Sequence, residues 1–234
     1  MTVVDVEIKV NFGADQIEQA KQVFGLKPDD AEKRDIWFGE IRTGRDGREA
    51  LPLLDRGVIL RVRAKKESGD VTVKLRGADG CIDVAAWNAA NLAGEKKIEG
   101  DWADRRQISA SLTVKSDEVG RTDFEAGVPP IADLMSDDQL TLTHRLLVPL
   151  GEVELLGPIT ARKWKHEDIG GDIDAEEWTV GGLHFLEISV VAPEKPERAQ
   201  EDLLKRVQAA DLTIAPSQEP KTTQVLKLLA GGAG

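Results

Sequence analysis

The sequence predicts an α+β, mainly β fold: eight strands able to close into a barrel, with helices flanking them. Three observations carry this expectation. Eight runs along the chain alternate apolar and polar residues with a period of two, the signature of half-buried strands. An even set of strands can close on itself and so leave no exposed edge. The composition, 41% hydrophobic but 31% charged and only 4% aromatic, is enough for a core yet argues against a wholly apolar interior.

The first run is VVDVEIKV, residues 3 to 10. It is followed by DQIEQAKQVFGL, 15 to 26, where Ile17, Ala20, Val23 and Phe24 fall at helical spacing and Gly25 ends the helix. Strands follow at DIWFGEI (35 to 41), GVILRVRAK (57 to 65) and DVTVKLRG (70 to 77). The remaining four are KKIEGDWA (96 to 103), QISASLTVK (107 to 115), PITARKWKH (158 to 166) and GLHFLEISVV (182 to 191). Segments 128 to 148 and 196 to 209 read as helical, and KTTQVLKLLAG forms a short terminal helix before a Gly-rich end. Gly120 to Gly127 and Gly170 to Asp174 read as polar loops. With no repeat and no convincing linker, the expectation is one domain over 1–234, its C-terminal segment helical over about 196–230.

Charge narrows the function classes. The net charge of -11, from 42 acids against 31 bases, excludes a non-specific binder of nucleic acid duplex, which displaces counterions with excess Lys and Arg. A local basic cluster inside an acidic envelope still suits a small anion. Cys81 is the sole cysteine, so an intramolecular disulfide and a thiolate metal cage are both excluded. The opening MTVVDVEIKV carries charges where a signal peptide needs an apolar run, and no stretch approaches the roughly 20 apolar residues of a membrane helix. A cytoplasmic protein with no membrane partner is expected.

The chemistry lies in charges at i and i+2, which share one face of a strand. Asp5, Glu7 and Lys9 do so, opposite Val4, Val6, Ile8 and Val10. Arg61 and Arg63 repeat the pattern, as do Lys74 and Arg76, Glu99 and Asp101, and Lys163 and Lys165. Glu187 precedes Ser189 on a strand whose other face is Leu186, Ile188 and Val190. In a sandwich these polar faces would meet water. Tight same-sign pairs, however, repel and call for a partner of opposite charge. Phosphate suits the basic pairs and a divalent cation the acidic ones, with oxygen-only ligation favouring Mg²⁺ or Mn²⁺. Pattern alone leaves both arrangements open.

The order of these pieces resembles the CYTH superfamily, the triphosphate tunnel metalloenzymes. The likeness rests on EIK of an ExExK-like opening, LPLLDRGVILRVR, TVKLR, the acidic pair of IEGDW, the basic KWK and the late LEIS, spanning residues 5 to about 191. It implies a β-tunnel of eight antiparallel strands lined by acids and bases. It also implies metal-dependent hydrolysis of a triphosphate: inorganic tripolyphosphate, thiamine triphosphate or a nucleoside triphosphate. A non-catalytic tunnel that binds polyphosphate or nucleotide, and adenylate cyclase chemistry, are the alternatives. By this resemblance Arg61, Arg63, Lys74, Arg76 and one or both of Lys163 and Lys165 grip phosphate oxygens. Asp5, Glu7, Glu99, Asp101 and Glu187 hold Mg²⁺ or Mn²⁺, and Lys9 either activates water, if cationic neighbours lower its pKa, or binds phosphate as an ammonium with no proton-transfer role. A one-residue shift of register would bring Arg162 inward in place of Lys163 and Lys165. The chain departs from the family at Asp5, where Glu is usual, and at Ser189, where a second Glu often stands. Arg145, Lys115 and the three histidines read as surface or structural residues, the tryptophans as core or lid, and Cys81 as no nucleophile.

Overall fold

Apolar residues at alternate positions commit the barrel segments of the chain to strands, and the computed structural model bends them into a closed barrel. It describes residues 5–45, 48–77, 82–102, 106–117, 119–120, 124, 127–169 and 172–231. In chain order the elements begin β1 (Asp5–Phe12), α1 (Ile17–Phe24), β2 (Glu32–Glu40), β3 (Thr43–Arg45), β4 (Arg48–Ala50), α2 (Pro52–Asp55), β5 (Val58–Ala64) and β6 (Gly69–Gly77). They continue with α3 (Val84–Ala89), β7 (Glu95–Trp102), β8 (Arg106–Ser116), α4 (Asp137–Arg145), β9 (Glu154–Trp164) and α5 (His166–Ile169). The last are β10 (Asp174–Val180), β11 (Leu183–Ala192), α6 (Pro196–Ala209) and α7 (Lys221–Ala230). Cys81 and residues 121–123, 125–126 and 170–171 of the expected loops lie outside the described residues.

The barrel order is β1-β11-β10-β9-β2-β5-β6-β8-β7, returning to β1, with β3 and β4 as a separate hairpin. It therefore has nine strands rather than the eight expected. The additional one is β10, DAEEWTV, whose acids Glu176 and Glu177 lie on opposite faces and erase the apolar–polar alternation. Nine is odd, so strict antiparallel alternation cannot run round the ring. One parallel seam is required, and it falls between β1 and β7, pairing Asp5 with Glu99 and Glu7 with Asp101. The expected helix over 128–148 is shorter: α4 is flanked by 3-10 turns at Ile131–Leu134 and Leu150–Glu152. Its start is fixed by a capping box, Ser136 with Gln139.

The polar faces turn inward, and the apolar faces turn outward beneath the helices. Ile8, Val10 and Phe12 of β1 pack under Ile17, Ala20 and Phe24 of α1 and Leu203 and Val207 of α6. Leu60, Val62, Ala64, Val71 and Val73 pack against Ile131, Met135 and Val148. Each such Leu or Val contributes roughly 1.5–3 kcal/mol by leaving water. No described helix is long and apolar enough to cross a membrane.

One buried carboxylate aims the strand that carries the paired arginines. Glu40, 0% exposed, accepts the backbone N–H groups of Ile41, Leu53 and Leu54, each at 2.9 Å. Two of these are donors of the first turn of α2, which lacks a side-chain cap. The chain then turns at Gly57, φ 71°, where a Cβ would lie 2.0 Å from the Arg76 carbonyl oxygen. Only glycine fits there, and β5 follows directly.

Candidate active site

The inward residues enclose a cavity of about 270 Å³. Its wall holds Glu7 and Lys9 from β1, Arg61 and Arg63 from β5, Lys74 and Arg76 from β6, Glu99 and Asp101 from β7, Lys163 from β9 and Glu187 from β11. Period-two alternation in the observed register puts them there. Arg63 stands opposite Asp70, Lys74 opposite Ser111 and Arg76 opposite Ser109. Of the expected residues, Asp5 and Lys165 are exposed and absent from this wall. Lys165 follows the last residue of β9, Trp164, where strand alternation stops. Arg162 turns outward to Glu177 at 3.4 Å, so Lys163 is the inward base of that strand.

At the parallel seam, oxygens of Glu7, Glu99 and Asp101 all lie within 4.8 Å of one another. Cations surround them. Lys9 Nζ is 2.9 Å from Glu7 and 2.5 Å from Asp101, and Lys74 Nζ is 3.0 Å from both Glu99 and Asp101. Lys97 also pairs with Glu99, Arg76 lies 3.7 Å from Asp101, and Ser109 Oγ donates to Asp101 at 3.2 Å.

Burial alone would raise these carboxyls, but the cations win. Lys74 and Lys97 hold Glu99 at about 2, and Lys9, Lys74 and Arg76 hold Asp101 well below its ordinary value. Glu7 is lowered by Lys9. Burial would lower the Lys9 ammonium, yet Glu7 and Asp101 raise it well above the usual lysine range. The neighbours that set its proton affinity are thus carboxylates rather than cations.

Across the cavity the wall is basic. Arg63 Nε donates to both Asp70 oxygens, at 2.9 and 3.1 Å, and Lys163 Nζ is 2.7 Å from Asp174. Arg61 Nη2 donates to Thr72 Oγ1 at 3.3 Å, while burial and the adjacent Arg63 lower its guanidinium to about 10. The buried Nε atoms of Arg34, Arg61 and Arg76 have no hydrogen-bond partner. Arg34, Arg61 and Arg76 all line the one cavity, and such a cluster of guanidiniums suits an anionic ligand.

Several wall residues escaped the sequence reading. Arg34 shares a face with Glu32, an opposite-sign pair 2.8 Å apart that does not stand out as two like charges do. Lys97 precedes the acidic pair at the same spacing. Glu176 and Trp178 come from the unexpected β10, and Lys221 from helix α7, where no strand pattern could reveal it. Lys115, Arg145, His144 and His166 are exposed. Trp37, Trp87 and Trp164 are buried, and His184 pairs with Glu177 at 2.7 Å.

No family profile and no curated protein sequence matches the chain. Solved structures do. A candidate adenylate cyclase from Bacillus halodurans is 13% identical, with 94% of this chain and 96% of that one covered and a TM-score of 0.57. The Hippeastrum protein HpAC1, a candidate adenylyl cyclase described as having a dominant triphosphatase activity, is 14% identical over 95% of each chain, with a TM-score of 0.62. The fold is shared with these two proteins. The carboxylate cluster has the oxygen-only donor set that hard divalent cations take.

Proposed function

We propose that the protein hydrolyses a triphosphate inside the barrel in a divalent-metal-dependent reaction. The observation that carries this reading is the juxtaposition of three clustered carboxylates with buried guanidiniums whose Nε atoms lack partners, in one cavity. The activity described for HpAC1, which has the same fold, supports it.

In this reading Glu7, Glu99 and Asp101 hold Mg²⁺ or Mn²⁺. The bound cation supplies charge neutralisation on phosphate oxygens and a site for water. Arg61, Arg63, Arg76 and Lys163 donate charge-assisted hydrogen bonds to phosphate oxygens, fixing the chain in line for displacement. Lys74, 3.0 Å from both Glu99 and Asp101, adds an ammonium on the acidic side that would also donate to phosphate. Lys9 contributes as an ammonium, donating to an oxygen of the phosphoryl group that is transferred, since its carboxylate neighbours favour its protonated form. Lys221 adds a further cation on the Glu187 side.

Phosphate release tests the proposal, with tripolyphosphate, thiamine triphosphate and ATP offered in Mg²⁺ and then Mn²⁺. Metal-dependent release of orthophosphate from at least one supports hydrolysis. Tight binding without release makes the barrel a binding module. A second reading, cyclase chemistry, comes from the fold shared with candidate adenylate cyclases; it requires pyrophosphate and a cyclic nucleotide from ATP instead of orthophosphate.

A further inference from the structure

Two groups of acids face the cavity, and they are neutralised differently. At the parallel seam Glu7, Glu99 and Asp101 converge, and among the described residues theirs is the one set of three ligand atoms close enough to share an ion. Across β10 and β11 stands a second pair, Glu176 opposite Glu187, both on the cavity wall. Its centre is filled. Lys221 Nζ contacts Glu176 and lies 3.0 Å from Glu187, bridging carboxylates from two adjacent strands as a metal ion would.

That ammonium is held on three sides. Besides the two carboxylates, Nζ stands 4.4 Å from the centroid of the Trp178 ring, so its three N–H donors meet two carboxylates and an indole face. The backbone behind it is fixed as well. Lys221 opens α7, whose Val225, Leu226 and Ala230 are buried against the barrel, and the residue itself is only 7% exposed. The cations of the seam are held differently: Lys9 and Lys74 reach only the carboxylates of the seam cluster, and the Lys97 side chain is 50% exposed. A metal ion arriving there with an anionic substrate gives Lys9 and Lys74 new acceptors in the phosphate oxygens. Lys221, already saturated, gains none. Ser189, the next residue on the Glu187 face, is 4% exposed and supplies a hydroxyl where a third carboxylate would be needed.

Phosphoryl transfer is often served by two metal ions about 3.5–4 Å apart that clamp the attacking and leaving oxygens. We infer that Lys221 takes the place of the second ion, so that the barrel binds one divalent cation, at Glu7, Glu99 and Asp101, and Glu187 is not a metal ligand. This rests on the metal-dependent reading above and specifies how many ions it uses. The ammonium is a permanent positive charge between Glu176 and Glu187, one that chelation does not remove.

Calorimetric titration of the full chain with Mn²⁺ alone tests this. The parent should bind a single Mn²⁺ per chain. Glu7→Gln removes one of three clustered carboxylates and should weaken that binding at least about tenfold, whereas Glu187→Gln should leave it within about twofold. Lys221→Met empties the space between Glu176 and Glu187; it should take up a second Mn²⁺, and Mn²⁺ should raise its melting temperature more than that of the parent. Lys221→Met/Glu176→Gln relieves the facing charges and should return to a single Mn²⁺. Two Mn²⁺ in the parent, a loss in Glu187→Gln as large as in Glu7→Gln, a Lys221→Met protein that gains neither a second Mn²⁺ nor the extra stabilisation, or a second Mn²⁺ that persists in the double variant overturns the inference and leaves the hydrolase reading intact. A parent that binds no Mn²⁺ overturns both.

Discussion

Glu176 and Glu187 stand opposite each other across β10 and β11, and one ammonium bridges them: Lys221 Nζ, 3.0 Å from Glu187 and in closer contact with Glu176. Burial would raise Glu176, but Lys221 and Lys163 hold it far below its ordinary value. Removing the ammonium leaves two like charges facing each other in a largely buried site. Lys221→Met, which keeps the stem over Trp178, should therefore destabilise the fold by about 2–4 kcal/mol in urea denaturation. Adding Glu176→Gln should recover much of the loss. A Lys221→Met protein as stable as the parent contradicts the bridge.

Acid should weaken the fold through the same class of pairs. Lys74 and Lys97, against burial, hold Glu99 at about 2, and the Lys163 hydrogen bond does the same for Asp174, also at about 2. Both carboxyls are depressed in the folded state, so the stability they supply is complete above their unfolded values, near 4, and is lost as pH falls toward 2. Urea midpoints should fall across that window, and Glu99→Gln should make the fall shallower. A flat profile from pH 5 to 2, both values approximate bounds of the window, contradicts these pairings.

Arg61 offers a separation of binding from stability. It is a buried cation with an unpartnered Nε, so Arg61→Met removes an unfavourable charge as well as a phosphate donor. Triphosphate affinity should fall about 10- to 100-fold, equivalent to roughly 1.5–3 kcal/mol, without loss of thermal stability. Unchanged affinity in a titration with tripolyphosphate excludes Arg61 from the phosphate wall.

Much of this architecture was legible from the chain because the barrel is polar inside and apolar outside, so strands such as β1, β5 and β6 keep a clean alternation. The same inversion hides β10, since Glu176 faces the cavity while Glu177 is buried outside, held by Lys21 at 2.6 Å and His184. Spacing placed Lys163 and Lys165 on one face, but the strand ends at Trp164 and only Lys163 remains in the wall. Lys221 reaches the site from a helix packed across the barrel end, a long-range contact that local periodicity does not encode. The like-charged pairs in mid-strand, Arg61 with Arg63, Lys74 with Arg76 and Glu99 with Asp101, all came together as their spacing requires.

Glu40 links the fold to the site. Its three backbone donors anchor the turn that leads into β5. Glu40→Ala leaves all three unmet and should cost about 2–4 kcal/mol in urea denaturation. Glu40→Gln, which retains one carbonyl acceptor, should cost less and lower triphosphate affinity by a few-fold through displacement of Arg61. Wild-type stability in both variants contradicts the anchoring role.

The carboxylate cluster at the parallel seam bears the central claim, and Glu7→Gln tests it with almost no change of shape. Orthophosphate release from tripolyphosphate with Mg²⁺ or Mn²⁺ should be abolished by chelation and reduced at least about 100-fold by the substitution, roughly 2.7 kcal/mol of transition-state stabilisation. Release that persists after chelation, or that Glu7→Gln leaves at the parent rate, contradicts the account.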